Sequence, residues 1–229
     1  MQFLSLLLDA SSPKVQVGLL DEQRWLAFRC RESPALTGLF QAAQECLSEA
    51  NLRWEQINSF FYCQGPGSQL GLRLAAMAIA AWQWSTFIAS APKVYTYGSL
   101  HLKAALLKQS GIQAPFHLLS YFRPGQWNCL SVNEAEDHFN VVKDEAVPEL
   151  QGKRFFLQFH AAQQDLPAEG EWLDYRIDLL PSLLGDKDLF KAVDKATPFS
   201  PSPNEYVPWA GSRHGSKAKS PLLEAPSKD

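Results

Sequence analysis

Three features of the sequence predict an α/β fold. Short apolar stretches alternate with polar turns over residues 3–32, and apolar residues then recur every three or four positions over 36–50. A Gly-Pro-Gly-Ser turn at 65–68 leads from an apolar run into an alanine-rich stretch. Phe3 to Leu8 forms a first strand ending at Asp9, and Val15, Val17 and Leu19 alternate as a half-buried strand would. After a turn at Asp21, Glu22 and Gln23, RWLAFRC returns as a third strand, and connections this short make an antiparallel meander. Ser33 and Pro34 supply an N-cap and a first-turn proline. Leu36, Leu39, Phe40, Ala43, Cys46, Leu47 and Ala50 then mark an amphipathic helix. INSFFYCQ is a fourth strand, apolar enough to be central, and the alanine-rich stretch is a second helix running to about Trp84.

From Pro92 the pattern begins again. Ser99 caps a helix through Leu107, and FHLLSYFR and NCLSVNE flank the hairpin turn Pro124-Gly125. VVKDEAVPELQG reads as loop, KRFFLQFH as strand, and WLDYRIDLLPSLLGD as helix interrupted at Pro181. After Thr197, proline, serine, glycine and lysine dominate, predicting an extended segment and a disordered tail. The expected organisation is a first lobe over 1–96, a smaller α/β lobe over 97–197 and a tail over 198–229. No internal repeat of fixed period is visible.

The 229 residues are 46% hydrophobic and 20% charged with net charge −3, which suits a globular chain and not a dedicated nucleic-acid binder. MQFLSLLLDA has no basic region before its apolar run and reads as a strand, not a signal peptide. The apolar stretch over 70–82 contains Arg73 and is too short to span a bilayer. Cys30, Cys46, Cys63 and Cys129 form no C-x-x-C pair, which fits free thiols in a reducing cytoplasm.

Gly65, Pro66, Gly67 and Ser68 form either a bare strand-to-helix turn or a site where free helix amides hold an anion. Ser68 is placed as N-cap. A phosphate-binding P-loop is excluded because Gly71 is followed by Leu72 and Arg73, not Lys-Ser/Thr. The dinucleotide fingerprint fails because Gly71 comes one place late and IASAPK carries no acid. A nucleophile elbow fails because Pro66 and Leu70 flank Ser68 where glycines are required. In the helix that follows, Leu70, Leu72, Leu74, Met77, Ile79, Trp82 and Trp84 spread around every side. Such a helix must be covered on more than one face, by its own chain or by another subunit.

GPGSQLGLR after an apolar strand resembles the Gly-Pro-Gly-Ser-x-x-Gly-Leu-Arg motif of the bacterial TsaB (YeaZ) family. Asp9-Ala10-Ser11 sits where that family has Asp-Thr-Ser, YGSL at 97–100 fits its next helix start, and NEYVPW is weakly similar to its late Pro-x-Tyr-Leu-Arg. The resemblance is specific over about 57–100 and thin after 110. Gln69-Leu70 and RESPAL depart from the family's pattern, as does SYFRPGQWN in the second lobe. The resemblance implies a two-lobed actin-like ATPase or RNase H-like fold. It also implies a non-catalytic scaffold that supports threonylcarbamoyladenosine modification of tRNA without a cofactor of its own. The implied partners are a TsaD-type transferase, a TsaE-type ATPase or a second copy, with tRNA met only through the complex. Its helical interface would draw on Leu36, Leu39, Phe40, Ala43, Leu72, Arg73, Ala75, Ala76 and Ile79. Gly71 belongs to the turn motif.

The residues themselves offer no complete catalytic set. His101, His117, His138, His160 and His214 show no i, i+4 metal pair. Actin-like ATPases hold phosphate with amides of a first hairpin beside an acid for Mg²⁺. Asp9 is the candidate acid, yet Ala10-Ser11-Ser12-Pro13 has no glycine and Pro13 no amide. Asp9 is read first as a strand-end carboxylate bonding the turn, and as a vestigial acid second. Arg73 near a helix N-terminus opposes the helix dipole and either answers a carboxylate or is solvated. The alternatives carried forward are a small-molecule kinase or ATPase of the actin-like superfamily, and a diverged paralogue with another partner.

Overall fold

Leu4–Asp9 (β1), Lys14–Asp21 (β2) and Arg24–Glu32 (β3) form the expected antiparallel meander. Ala35–Glu49 (α1) follows, then Ser59–Gly65 (β4), Gln69–Thr86 (α2) and Lys93–Gly98 (β5). β4 lies parallel to β1, and β5 parallel to β4, because a helix carries the chain back across the sheet each time. The structure is a computed structural model that describes residues 4–86, 92–158 and 167–198.

Ser99–Gln109 (α3) crosses to a second sheet built from Phe116–Arg123 (β6), Gln126–Val132 (β7), His138–Lys143 (β8), Lys153–Gln158 (β9) and Glu171–Asp174 (β10). Lys191–Val193 (β11) then returns to the first sheet, antiparallel to β5. The orders are β11-β5-β4-β1-β2-β3 and β10-β9-β6-β7-β8. Each sheet is therefore a three-strand meander whose first strand also pairs, in parallel, with the fourth. The topology repeats although no sequence period shows it.

The layers follow from which faces are apolar. Leu6, Leu8 and Val17 face α1 and α2 with Leu39, Cys46 and Ile79. Leu7, Phe61 and Tyr97 face the other way, and together with α3 they meet Phe116, Leu118 and Phe155 of the second sheet. The second sheet's outer face holds Leu119, Trp127 and Phe156 under Val147. Buried on both sides, β1 is apolar almost throughout. The described residues form one unit in which the two sheets share the middle core.

Several expectations need correction. α1 begins at Ala35 with Pro34 in the cap position and no side-chain cap; the Ser33 hydroxyl is buried without a hydrogen-bond partner among the described residues. α3 is preceded by Gly98, and Ser99 instead donates its hydroxyl to the Pro66 carbonyl at 2.6 Å. Residues 141–143, read as loop, complete the edge strand β8, where one exposed face and pairing with β7 suffice. WLDYRIDLLPSLLGD is not a helix. β10 pairs with β9, and only Leu180–Leu183 makes a short 3₁₀ turn. Pairing with a neighbouring strand overrides local helix preference there. Thr197, expected in the second lobe, exchanges hydrogen bonds with the Tyr62 hydroxyl of β4. The expected tail, with NEYVPW, Arg213, His214, Lys217 and Lys219, and also His160, lies outside the described residues.

Candidate functional site

The Gly-Pro-Gly-Ser turn is pressed against the first hairpin. Gly65 has φ 125°, a conformation open to glycine, and precedes a cis peptide to Pro66. A Cβ on Gly67 would lie 2.4 Å from the Ser11 carbonyl oxygen, and one on Gly71 only 1.8 Å from that of Ala10. The motif's glycines therefore serve close backbone approach. Ser68 donates its amide to the Ser11 carbonyl at 2.7 Å, and its hydroxyl accepts from the Gly71 amide at 3.2 Å. Two of the amides at this helix start, those of Ser68 and Gly71, are thus spent inside the chain.

Asp9 ends β1 directly beneath this turn. One carboxylate oxygen accepts from the Ser11 amide at 2.8 Å and the Ser11 hydroxyl at 2.6 Å, as a strand-end acid bonding its turn would. The other accepts from the hydroxyls of Tyr97 and Tyr175, both at 2.7 Å. Asp9, Ser11, Tyr97, Tyr175 and Cys63 are all buried. Burial first, and then the Asp9 charge, push both tyrosines and the Cys63 thiol well above their ordinary ranges. The tyrosines therefore stay protonated and donate. Sequence reasoning missed both; the alternation of Tyr175 with Ile177 was the available signal.

The magnesium nucleotide of an actin-like ATPase does not fit these residues. Asp9 has four donors on its two oxygens and no exposed surface. The Ser11 amide is turned to Asp9 and the Lys14 amide to the Ser12 hydroxyl, which takes two of the hairpin's amides away from a phosphate. No cluster of metal-ligating side chains occurs among the described residues. His117 is buried between the Ser131 hydroxyl and the Gln151 carbonyl, at 2.9 Å from each.

The outer helices present a different surface. Leu39, Ala43, Leu72, Ala75, Ala76 and Ile79 turn inward and are buried, so they offer nothing to a partner. Leu36, Phe40 and Arg73 face solvent, and Arg73 forms no ion pair among the described residues. Outward beside them lie Leu70 and Met77, 68% and 67% exposed, and Trp84 at 95%. These three recur at heptad spacing, so they line one stripe of α2, the sequence signal that would have separated them from Leu72 and Ile79. Phe40 of α1 packs edge-on against Trp82 of α2 at 5.3 Å, so the two helices touch. No helix among the described residues is long and apolar enough to cross a membrane.

Beside the turn, a cavity of about 950 Å³ lies between α3, the β7–β8 loop and the segment leading to β11. Glu134, Glu136, Asp186 and Asp188 stand at its rim, and Lys108 there is paired with Asp137 at 3.0 Å. His101 faces it, and burial among the walls lowers its pKa below the ordinary value.

Against solved structures, this arrangement of strands and helices has counterparts. YeaZ from Pseudomonas aeruginosa aligns with a TM-score of 0.58 over 86% of this chain and 99% of its own, at 17% identity. The fold is shared with YeaZ. An uncharacterized protein with similarity to peptidase YeaZ, also from Pseudomonas aeruginosa, aligns at 0.60 over 87% of this chain and all of its own, again at 17% identity. The α/β arrangement described above therefore matches these two structures over nearly their whole length. No protein-family model and no curated protein sequence matches the chain.

Proposed function

We infer that this chain is a TsaB-like scaffold subunit. Its working surface is the outer face of α1 and α2, and its partner is a TsaD-type transferase acting in threonylcarbamoyladenosine modification of tRNA. One observation carries the reading: Leu70, Met77 and Trp84 form an exposed apolar stripe that the rest of the described chain leaves uncovered. Contiguous apolar surface of this kind is costly in water and marks contact with another protein. The fold shared with YeaZ supports the family assignment, and the hydrogen-bonded closure of Asp9 supports a scaffold over a nucleotide enzyme.

The test is co-purification with the TsaD-type protein of the same organism, followed by sedimentation of the pair. Wild type should co-sediment, burying on the order of 800 Å² per partner. Met77→Glu and Trp84→Glu should abolish the complex, whereas a distant surface change should not. Ala76→Glu is unsuitable because Ala76 is buried and its substitution would disturb the fold itself. A chain that stays monomeric and ignores that partner, or that binds ATP and Mg²⁺ alone at micromolar concentration in a calorimeter, would overturn the reading.

A further inference from the structure

The second sheet ends in a strap. From Asp174 the chain leaves β10, runs under the first hairpin, and reaches β11 of the first sheet through the 3₁₀ turn at Leu180–Leu183. Polar contacts fasten it along the way. The Gln16 side-chain amide donates to the Tyr175 carbonyl at 3.4 Å and accepts from the Ile177 amide at 3.1 Å. Trp25 donates its ring N–H to the Asp178 carbonyl at 2.7 Å. Gly18 makes that reach possible, since a Cβ there would lie 2.1 Å from the Trp25 ring. At the inner end, Tyr175 reaches Asp9.

We propose that Asp9 is an interlobe clasp: by accepting the Tyr175 hydroxyl it locks the strap, and with it the second lobe, against the end of β1. Two-lobed folds open and close about the few segments that connect their lobes. Here the returning segment is tied to the first sheet by a buried charge-assisted hydrogen bond, the stronger kind. The cavity wall at Leu183 and Leu189 belongs to the same segment, so the clasp also sets the width of that cavity. The acid at the end of the first strand is thereby a conformational fastener, a role independent of what binds the outer helices.

Tyr97 provides an internal control. It gives the same carboxylate oxygen a bond of the same 2.7 Å length, yet it sits on β5 within the first sheet. Hydrogen exchange should be followed by mass spectrometry on the full chain for wild type, Tyr175→Phe, Tyr97→Phe and Asp9→Asn. In Tyr175→Phe, peptides covering 174–189 should exchange on the order of tenfold faster, while those of β1 and β4 hold. In Tyr97→Phe the same strap peptides should stay within about twofold of wild type. Asp9→Asn should match Tyr175→Phe in the strap; should it fail to fold, the tyrosine pair decides alone. Equal acceleration by both tyrosine variants, or none by either, would overturn the clasp.

Discussion

In the first lobe the outer face of the sheet lies under α1 and α2; in the second it lies under the 3₁₀ turn Asp144–Glu149 and a knot of aromatic rings. The strand order is the same, meander first and parallel partner after. Trp127 and Phe156 meet edge to face at 5.2 Å, Phe156 and Trp172 lie tilted at 5.8 Å, and Trp127 donates its ring N–H to Asp144 at 2.7 Å. Leu119, Trp127 and Phe156 are buried beneath that cover, whereas a helix has a second side, and on α2 that side carries Leu70, Met77 and Trp84. One topology therefore carries aromatic cover on one sheet and exposed apolar side chains above the other, the first sheet having α1 between its third and fourth strands where the second has the 3₁₀ turn.

That contrast can be tested by substitutions of decreasing expected effect. Gly71→Ala should be the most damaging single-methyl change in the first lobe, costing about 3 kcal/mol or more in urea unfolding. Alanine is ordinarily the better helix residue, so a neutral result would mean that the turn does not press on Ala10. In the second lobe, Phe156→Ala should cost a comparable amount, about 3 kcal/mol. Because the sheets share the core around Leu118 and Phe61, fluorescence and circular dichroism should still report one coincident transition. Two separate transitions would show that the lobes are independent.

On the outer face of α2, Met77→Glu should change the stability of the isolated chain by no more than about 0.5 kcal/mol while removing the partner binding proposed above. A large loss of stability would mean that the stripe is covered by its own chain. The smallest effect concerns His101. Its folded pKa lies below the ordinary value of about 6.5, so the unfolded chain binds the extra proton and stability falls as pH drops below that value. His101→Gln should flatten this acid-side slope, measured as unfolding midpoints from pH 7 downward.

Much of the first lobe was legible in the sequence because its signals are local. Alternation in β2, three-to-four spacing in α1 and the glycines at 65, 67 and 71 each signal the local backbone within a few residues. The second lobe was less legible. β10 and the strap, read as helix, take their form from β9, Gln16 and Trp25, which lie far away in the chain. The site divided in the same way. Gly65, Pro66, Gly67 and Ser68 were recognisable as a turn, and Asp9 as the acid that bonds its hairpin, but the two tyrosines that close Asp9 come from β5 and from beyond β10.

The order of the first lobe's elements, its glycine turn and the apolar excess of α2 follow from the sequence alone, since each depends on residues close together in the chain. Which side of α2 faces water, and which residues close over Asp9, were decided only in three dimensions. A hydrophobic residue is equally suited to a core or to a partner's surface, and a carboxylate equally to a metal or to two hydroxyls, until the packing of distant segments chooses between them.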